Sequence, residues 1–301
     1  MQAFTGLFKT MRPKQWTKNI LFVLPGIVFS RQLTNGAAII DVMIACVLLI
    51  LISGTVYIIN DLVDIEKDAK HPKKKFRPLP SGQLPKQLAL IAAVIIPIGT
   101  IAFALWWDWL LASVLIAYLA IQIAYSFVLK HIVILDVLTV TSGFVLRVIA
   151  GVVVLSEWDV SISTWLYACS ALLALFLAVG KRRQELIELG EHAKETRPIF
   201  KYYNLALIDD MLRLVTTSTF ITYLLYTIEA DTILVAGNNA AMITVPFVLY
   251  GLFRYLYVIH VLGEGSAPDE VLLTDRSLQV AMVLWGLTFI ILLYLSPEAI
   301  G

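Results

Sequence analysis

Apolar stretches long enough to cross a bilayer recur from one end of this 301-residue chain to the other, and they restrict its fold more than any other feature. Spanning a hydrocarbon core of about 30 Å takes roughly 20 helical residues. Nine such stretches lie near residues 18–32, 37–59, 87–107, 109–129, 132–155, 162–180, 212–230, 240–259 and 278–296. The first is short and carries Pro25, which predicts a tilted or distorted span. Hydrophobic residues make up 59% of the chain and charged residues 15%, with a mean hydropathy of +0.83. No soluble core of this size needs that much apolar surface. The expected fold is an all-α polytopic membrane protein, a single transmembrane domain over residues 1–301.

The net charge of +1 conceals a strong segregation of charge by loop. With the N-terminus in the cytoplasm, 21 of the 23 Lys and Arg fall inside or in the inner part of a span, leaving Arg31 outside and Arg147 in the middle of a span. Nine spans then satisfy the positive-inside rule and put the C-terminus outside; a shift of one span breaks the pattern. No small-residue cleavage site follows the basic N-terminal segment, so no removable signal peptide is expected. Cys46 and Cys169 both fall in spans and read as packing residues. Outside loops, near 31–37, Asp108, 156–161 and 230–239, are short. The inside loops 60–86, 181–211 and 260–277 are longer and polar, and are expected to cap a cytoplasm-facing site.

Charge in or beside a span is costly, about 2.5–3.5 kcal/mol at a helix centre, so the stretches that keep it are the candidates for function. In the first, Asn60, Asp61, Asp64 and Asp68 follow an apolar span with no helix breaker before Pro72. Spacing of i, i+4 and i+8, with Asp61 three before Asp64, puts all four on one helical face. Hard oxygen ligands in that pattern suit Mg²⁺; the alternative is a solvated helix end paired with Lys67, Lys70 and the Lys73–Lys75 run. The basic segment His71–Gly82, with Lys75 and Arg77, then reads either as a phosphate cap or as a contact with anionic headgroups.

The other stretches carry cations. Tyr125 and Lys130 close the fourth span, and Asp136 and Arg147, eleven residues apart, share a face of the fifth. Arg147 either holds an anion or pairs with a carboxylate of a neighbouring helix. Gly143 and Gly151 flank it by four residues on either side and admit close approach. At the end of the sixth span Lys181, Arg182 and Glu185 stand together, where a cationic helix end also favours the dipole. Lys18, in Lys14–Asn19, precedes the first span beside the interfacial Trp16.

The order of these motifs resembles a known family. N-D-x-x-D-x-x-x-D at Asn60–Asp68 followed by K-x-R-P-L-x-S-G at Lys75–Gly82, in a nine-span inside-positive chain, resembles the UbiA superfamily of intramembrane prenyltransferases. The resemblance implies nine helices around a central, cytoplasm-facing cavity in which Mg²⁺ grips a diphosphate. Aromatic prenyltransferases of that superfamily usually carry a second aspartate-rich motif after the sixth span, where this chain reads Gly180–Leu186, rich in cations. With R-P-x-Q-W-x-K-N at Arg12–Asn19, Y-S-F-x-L-K-H at Tyr125–His131 and F-x-x-R-x-I-A-G at Phe144–Gly151, the chain looks like the branch that joins 5-phosphoribosyl diphosphate to a decaprenyl-type polyprenyl phosphate.

That resemblance implies Mg²⁺ on Asn60, Asp61, Asp64 and Asp68, with Asp61, Asp64 and Arg147 central to catalysis. Lys18, Lys75, Arg77, Tyr125, Lys130, Arg147, Lys181, Arg182 and Glu185 would then bind substrate. The expected partners are the phosphoribosyl donor, the lipid phosphate and membrane phospholipids, with no nucleic acid; a homo-oligomer is left open. Two other readings compete: an aromatic prenyltransferase using a prenyl diphosphate, and a non-enzymatic transporter or lipid-binding protein.

Overall fold

The computed structural model describes residues 2–69, 74–158, 164–190, 198–229, 234–235, 238–262, 271–272 and 274–294. Eleven α-helices account for most of them: α1 Gln2–Thr10, α2 Trp16–Phe29, α3 Gly36–Val63, α4 Ile65–Ala69, α5 Lys86–Trp107, α6 Trp109–Phe127, α7 Leu135–Val153, α8 Thr164–Leu189, α9 Leu205–Glu229, α10 Val245–Tyr257 and α11 Arg276–Tyr294. The one strand pairing among the described residues is a two-residue antiparallel ladder, Leu234–Val235 with Asn238–Asn239.

Eight helical segments among the described residues are long and apolar enough to cross a membrane. They match the second to ninth expected spans. Their outward faces carry large apolar side chains in helical register, such as Leu90, Ile91, Val94, Ile95 and Ile98 on α5 and Val280, Val283, Leu287 and Ile291 on α11. Surface of that kind is stable against lipid and not against water, and the chain is an integral membrane protein. The first expected span forms α2, with Pro25 inside it, but only 14 residues long. At 1.5 Å per residue it reaches about 21 Å, short of a bilayer core.

Helix boundaries follow local chemistry. Asn35 caps α3 by accepting from the Ala37 and Ala38 amides at 3.1 and 3.4 Å. Asp108 ends α5 and opens α6, its Oδ1 accepting from Leu110 and Leu111 at 2.7 and 3.0 Å, so a single residue makes the turn. Helix α8 runs to Leu189, nine residues past the apolar stretch that predicted it. Lys181, Arg182 and Glu185 are therefore on a helix and not in a loop. Loss of hydropathy marks where a helix leaves the membrane, while a sequence such as K-R-R-Q-E-L has high helix propensity and continues the ladder.

The chain divides into two compact units, Met1–Val128 with Leu146–Ser161, and Leu129–Val145 with Ile162–Gly301. In the first, α2, α3, α6 and the later half of α7 share a core of Val23, Ile27, Leu49, Ile52, Leu111, Leu115, Ala150 and Leu155. Helices α2 and α7 meet backbone to backbone there: a Cβ on Gly151 would lie 2.2 Å from the Val23 carbonyl oxygen, so only glycine fits. In the second unit α8, α9, α10 and α11 enclose Phe176, Val179, Ile208, Leu212, Leu252, Tyr255 and Leu278, with Ile199, Phe200 and Tyr203 of the preceding segment.

Candidate active site

The aspartate stretch was expected to be one continuous helix. Instead α3 ends at Val63, Asp64 takes a C-cap conformation at φ −95°, ψ 10°, and α4 begins at Ile65. The break has a consequence for the acids. In a straight helix residues seven apart stand about 10 Å apart along the axis and cannot share one donor. Here Asp61 and Asp68 do: Arg77 Nη1 lies 3.2 Å from Asp61 Oδ1 and 2.5 Å from Asp68 Oδ2. Both acids are buried. Lys74 Nζ stands 3.7 Å from Asp68 Oδ1, and Arg12 Nη2 donates to Asp61 Oδ1 at 2.9 Å.

Asn60 and Asp64 stand at the same helix end, partly buried, outside this ion-pair cluster. Among the described residues no three His, Cys, Asp or Glu side chains form a metal-binding group. The donor set nevertheless fits Mg²⁺. Two buried carboxylates converge on a single cationic nitrogen, the arrangement a small divalent cation also satisfies, and Mg²⁺ ordinarily takes one or two carboxylates and completes its shell with water and substrate phosphate. Lys75 is exposed, its ammonium 5.1 Å from the Phe76 ring centroid. Lys70, His71, Pro72 and Lys73 lie outside the described residues.

Arg12 was not among the expected site residues, although it opens the motif that suggested Lys18. Its backbone is left-handed, φ 53°, and its guanidinium lies 4.5 Å over the Tyr57 ring, one turn before Asp61 on α3. Lys18 is partly buried near the start of α2, and Tyr125 is partly buried in the last turns of α6.

Arg147 is 8% exposed and sits in a polar network of the first unit. Its Nε donates to Asn19 Oδ1 at 2.6 Å and its Nη2 to the Tyr118 hydroxyl at 2.7 Å, over whose ring it lies at 4.9 Å. Asn19 Nδ2 in turn donates to Ser53 Oγ at 3.0 Å. The close approach at Gly151 explains the pairing, because Arg147 and Asn19 lie one turn before Gly151 and Val23 on their helices. The Asn19 amide and the Tyr118 hydroxyl thereby fix the orientation of the Arg147 guanidinium.

In the second unit the two adjacent arginines of α8 go to different partners. Buried Arg182 donates through Nε to Asp136 Oδ2 at 2.7 Å and through Nη1 to Glu185 Oε2 at 2.8 Å. Arg183 donates to Asp209 Oδ1 at 2.6 Å and to the Ile259 carbonyl at 3.2 Å. Tyr203, which no sequence pattern marked, donates to Asp136 Oδ1 at 2.7 Å and accepts the Ile134 amide at 2.8 Å. Ile134 is itself left-handed, φ 70°. Burial, followed by the Asp136 carboxylate, pushes the Tyr203 phenol up to about 12, so at neutral pH it is a donor to Asp136. Lys181 is exposed on α8 beside this network, and Lys130, in a turn of 3₁₀ helix at Leu129–His131, is partly buried.

The sequence profile of the UbiA prenyltransferase family matches residues 19–269. Two proteins named decaprenyl-phosphate phosphoribosyltransferase are similar along nearly the whole chain. That of Corynebacterium glutamicum is 32% identical over 97% of this chain and 88% of its own length. That of Mycolicibacterium smegmatis is 30% identical over 93% and 90%. Among solved structures, a UbiA homolog from Archaeoglobus fulgidus bound to GPP and Mg²⁺ superimposes with a TM-score of 0.71 at 16% identity, covering 96% of this chain and 99% of that one. The profile match and the two full-length relatives agree with the all-helical membrane architecture, and the chain belongs to the UbiA prenyltransferase family.

Proposed function

We propose that the protein transfers the 5-phosphoribosyl group of phosphoribosyl diphosphate to a decaprenyl-type polyprenyl phosphate and releases diphosphate. The observation that carries this reading is 32% identity over 97% of the chain to a decaprenyl-phosphate phosphoribosyltransferase. The buried Asp61–Asp68 pair ringed by Arg12, Lys74 and Arg77 supports it, as a place built for a metal-bound diphosphate.

In the reaction an oxygen of the lipid phosphate forms a bond to ribose C1 while the bond from C1 to the diphosphate oxygen breaks, its electron pair leaving with diphosphate. The acceptor is already anionic near neutral pH, so no side chain has to remove a proton. Asn60, Asp61, Asp64 and Asp68 would hold Mg²⁺, which when bound supplies charge neutralisation of the leaving group. Arg77 and Lys74 stand beside the acids to receive phosphate oxygens, the guanidinium with two-pronged geometry, and Lys75 adds an exposed cation in the same segment. Arg147, whose orientation is set by Asn19 and Tyr118, offers a guanidinium to an anionic substrate group, and Lys18 and Tyr125 are further candidates for substrate contact in the first unit. In the second unit Arg182 and Glu185 order the helix end that carries Lys181, and Lys181 and Lys130 are cations suited to a phosphate group. Catalysis by such a set is positioning and charge stabilisation.

The inside-positive loops support a cell-membrane location with the N-terminus and this site on the cytoplasmic side, where a soluble donor arrives. Mass spectrometry of the lipid fraction after incubation with both substrates and Mg²⁺ tests the reading. A polyprenyl phosphate heavier by one phosphoribosyl group supports it, and an unmodified lipid pool contradicts it.

A further inference from the structure

The pairing of Asp61 is richer than holding a metal requires. Two guanidiniums donate to the same one of its oxygens, Oδ1, Arg12 at 2.9 Å and Arg77 at 3.2 Å. Arg77 continues to Asp68, whose other oxygen faces Lys74. Burial across these pairs is lopsided: the Asp61 and Asp68 side chains are 2% and 3% exposed, whereas those of Arg12 and Arg77 are 34% and 31% exposed. The acids are built into the helix end. The cations reach in from the open side and can withdraw without uncovering the core.

For Arg12 only the side chain is free to withdraw. Trp16 Nε1 donates to the Met11 carbonyl at 3.1 Å, and Met11 fills the space over Gly54, where a Cβ would come within 2.5 Å of its Cε. The backbone around Arg12 is thereby pinned on α3. The Tyr57 ring beneath the guanidinium provides a contact that does not depend on the carboxylate.

We propose that Arg12 and Arg77 are exchangeable counter-cations of the Asp61–Asp68 pair, so that a divalent metal enters this site only in company with a diphosphate. The inference rests on the metal-diphosphate reading above and adds the order of binding. A bare divalent ion has to expel guanidiniums that then have no anion to meet and that repel it. A metal diphosphate brings both halves of the exchange: its cation replaces the guanidiniums on the acids, and its phosphate oxygens receive the released forks. The coupling is reciprocal, so metal strengthens diphosphate binding by the same factor as diphosphate strengthens metal binding.

The test uses the full chain in lipid nanodiscs with Mn²⁺ as the probe, bound metal being followed by electron paramagnetic resonance. Wild type is expected to bind bare Mn²⁺ weakly. Arg77→Gln should bind bare Mn²⁺ about tenfold more tightly and the preformed Mn²⁺–diphosphate complex about tenfold more weakly, with Arg12→Gln shifted in the same directions. Unmutated protein gives an independent reading in a thermal melt: Mn²⁺ alone leaves Tm in place at a concentration at which Mn²⁺ with inorganic diphosphate raises it by a few degrees. Tight binding of bare Mn²⁺ by wild type, an equal rise in Tm without diphosphate, or unchanged bare-metal affinity in both folded variants overturns the exchange. If Asp61→Asn still abolishes Mn²⁺ binding in that case, the metal site itself stands. Mn²⁺ binding that is the same in Asp61→Asn and Asp64→Asn as in wild type removes the metal reading, and the exchange with it.

Discussion

Arg182 Nε lies 2.7 Å from Asp136 Oδ2, and both side chains are buried, at 5% and 0% exposure. The pair ties the C-terminal part of α8 to the first turn of α7 inside the second unit. Removing Arg182 leaves the Asp136 carboxylate buried without its countercharge, which costs about 3–5 kcal/mol, and removing Asp136 leaves the buried guanidinium short of one carboxylate while Glu185 still pairs with it. Arg182→Ala and Asp136→Ala should therefore each lower the melting temperature strongly. The joint replacement Arg182→Met with Asp136→Leu, which removes both charges, should recover most of the loss. Lys181→Ala, at an exposed site, should change stability by no more than about 0.5 kcal/mol and raise KM for phosphoribosyl diphosphate. A melting curve for each variant, with donor kinetics, separates the two roles.

Tyr203 makes the same region sensitive to alkaline pH. Its phenol is pushed up to about 12 by burial and by Asp136, from an unfolded value near 10. Between those values the folded state holds a proton that the unfolded state has lost, so stability must fall as pH rises through that window. Its contribution is fully present below about pH 10. Tyr203→Phe should flatten that slope. At neutral pH it should cost about 1–3 kcal/mol, because the Ile134 amide and Asp136 each lose a hydrogen bond. Thermal melts of both proteins across the alkaline range check the sign and the size.

Gly151→Ala should separate α2 from α7, since its Cβ would stand 2.2 Å from the Val23 carbonyl oxygen. Overpacking of this kind costs about 1–3 kcal/mol, and the shift reaches Arg147 and Asn19 one turn away. Gly99→Ala on α5 is the control. Its Cβ would meet nothing within 4 Å, and alanine gains up to about 1 kcal/mol in helix propensity. The first variant is expected to melt earlier and to bind its anionic substrate more weakly, the second to do neither.

Eight of the nine expected spans were readable from hydropathy, because in a membrane the apolar run is the helix. Hydropathy misjudged what lies at its edges: α2, whose 14 residues fall short of the bilayer, α8, whose polar last turns continue as helix, and α9, which begins at Leu205, seven residues before the expected span. The aspartate stretch was equally visible, since its charges interrupt an apolar chain. What stayed hidden was partnership over long separations. Arg12 finds Asp61 49 positions away, Tyr203 finds Asp136 at 67 and Arg147 finds Asn19 at 128. No local period encodes such pairs. Arg182 shows the same limit in reverse: it was read as a cation for substrate, and its fork is spent on Asp136 and Glu185. Local spacing also could not reveal the break at Asp64 that lets Asp61 and Asp68 share Arg77.

The most direct measurement is transfer of label. Purified protein with Mg²⁺, radiolabelled phosphoribosyl diphosphate and polyprenyl phosphate should yield a labelled lipid, and Asp61→Ala and Asp64→Ala, inserted in the membrane at normal levels, should each reduce the rate by at least about a hundredfold. An unlabelled lipid fraction, together with transfer from a prenyl diphosphate to an aromatic acid by the same preparation, would contradict the account.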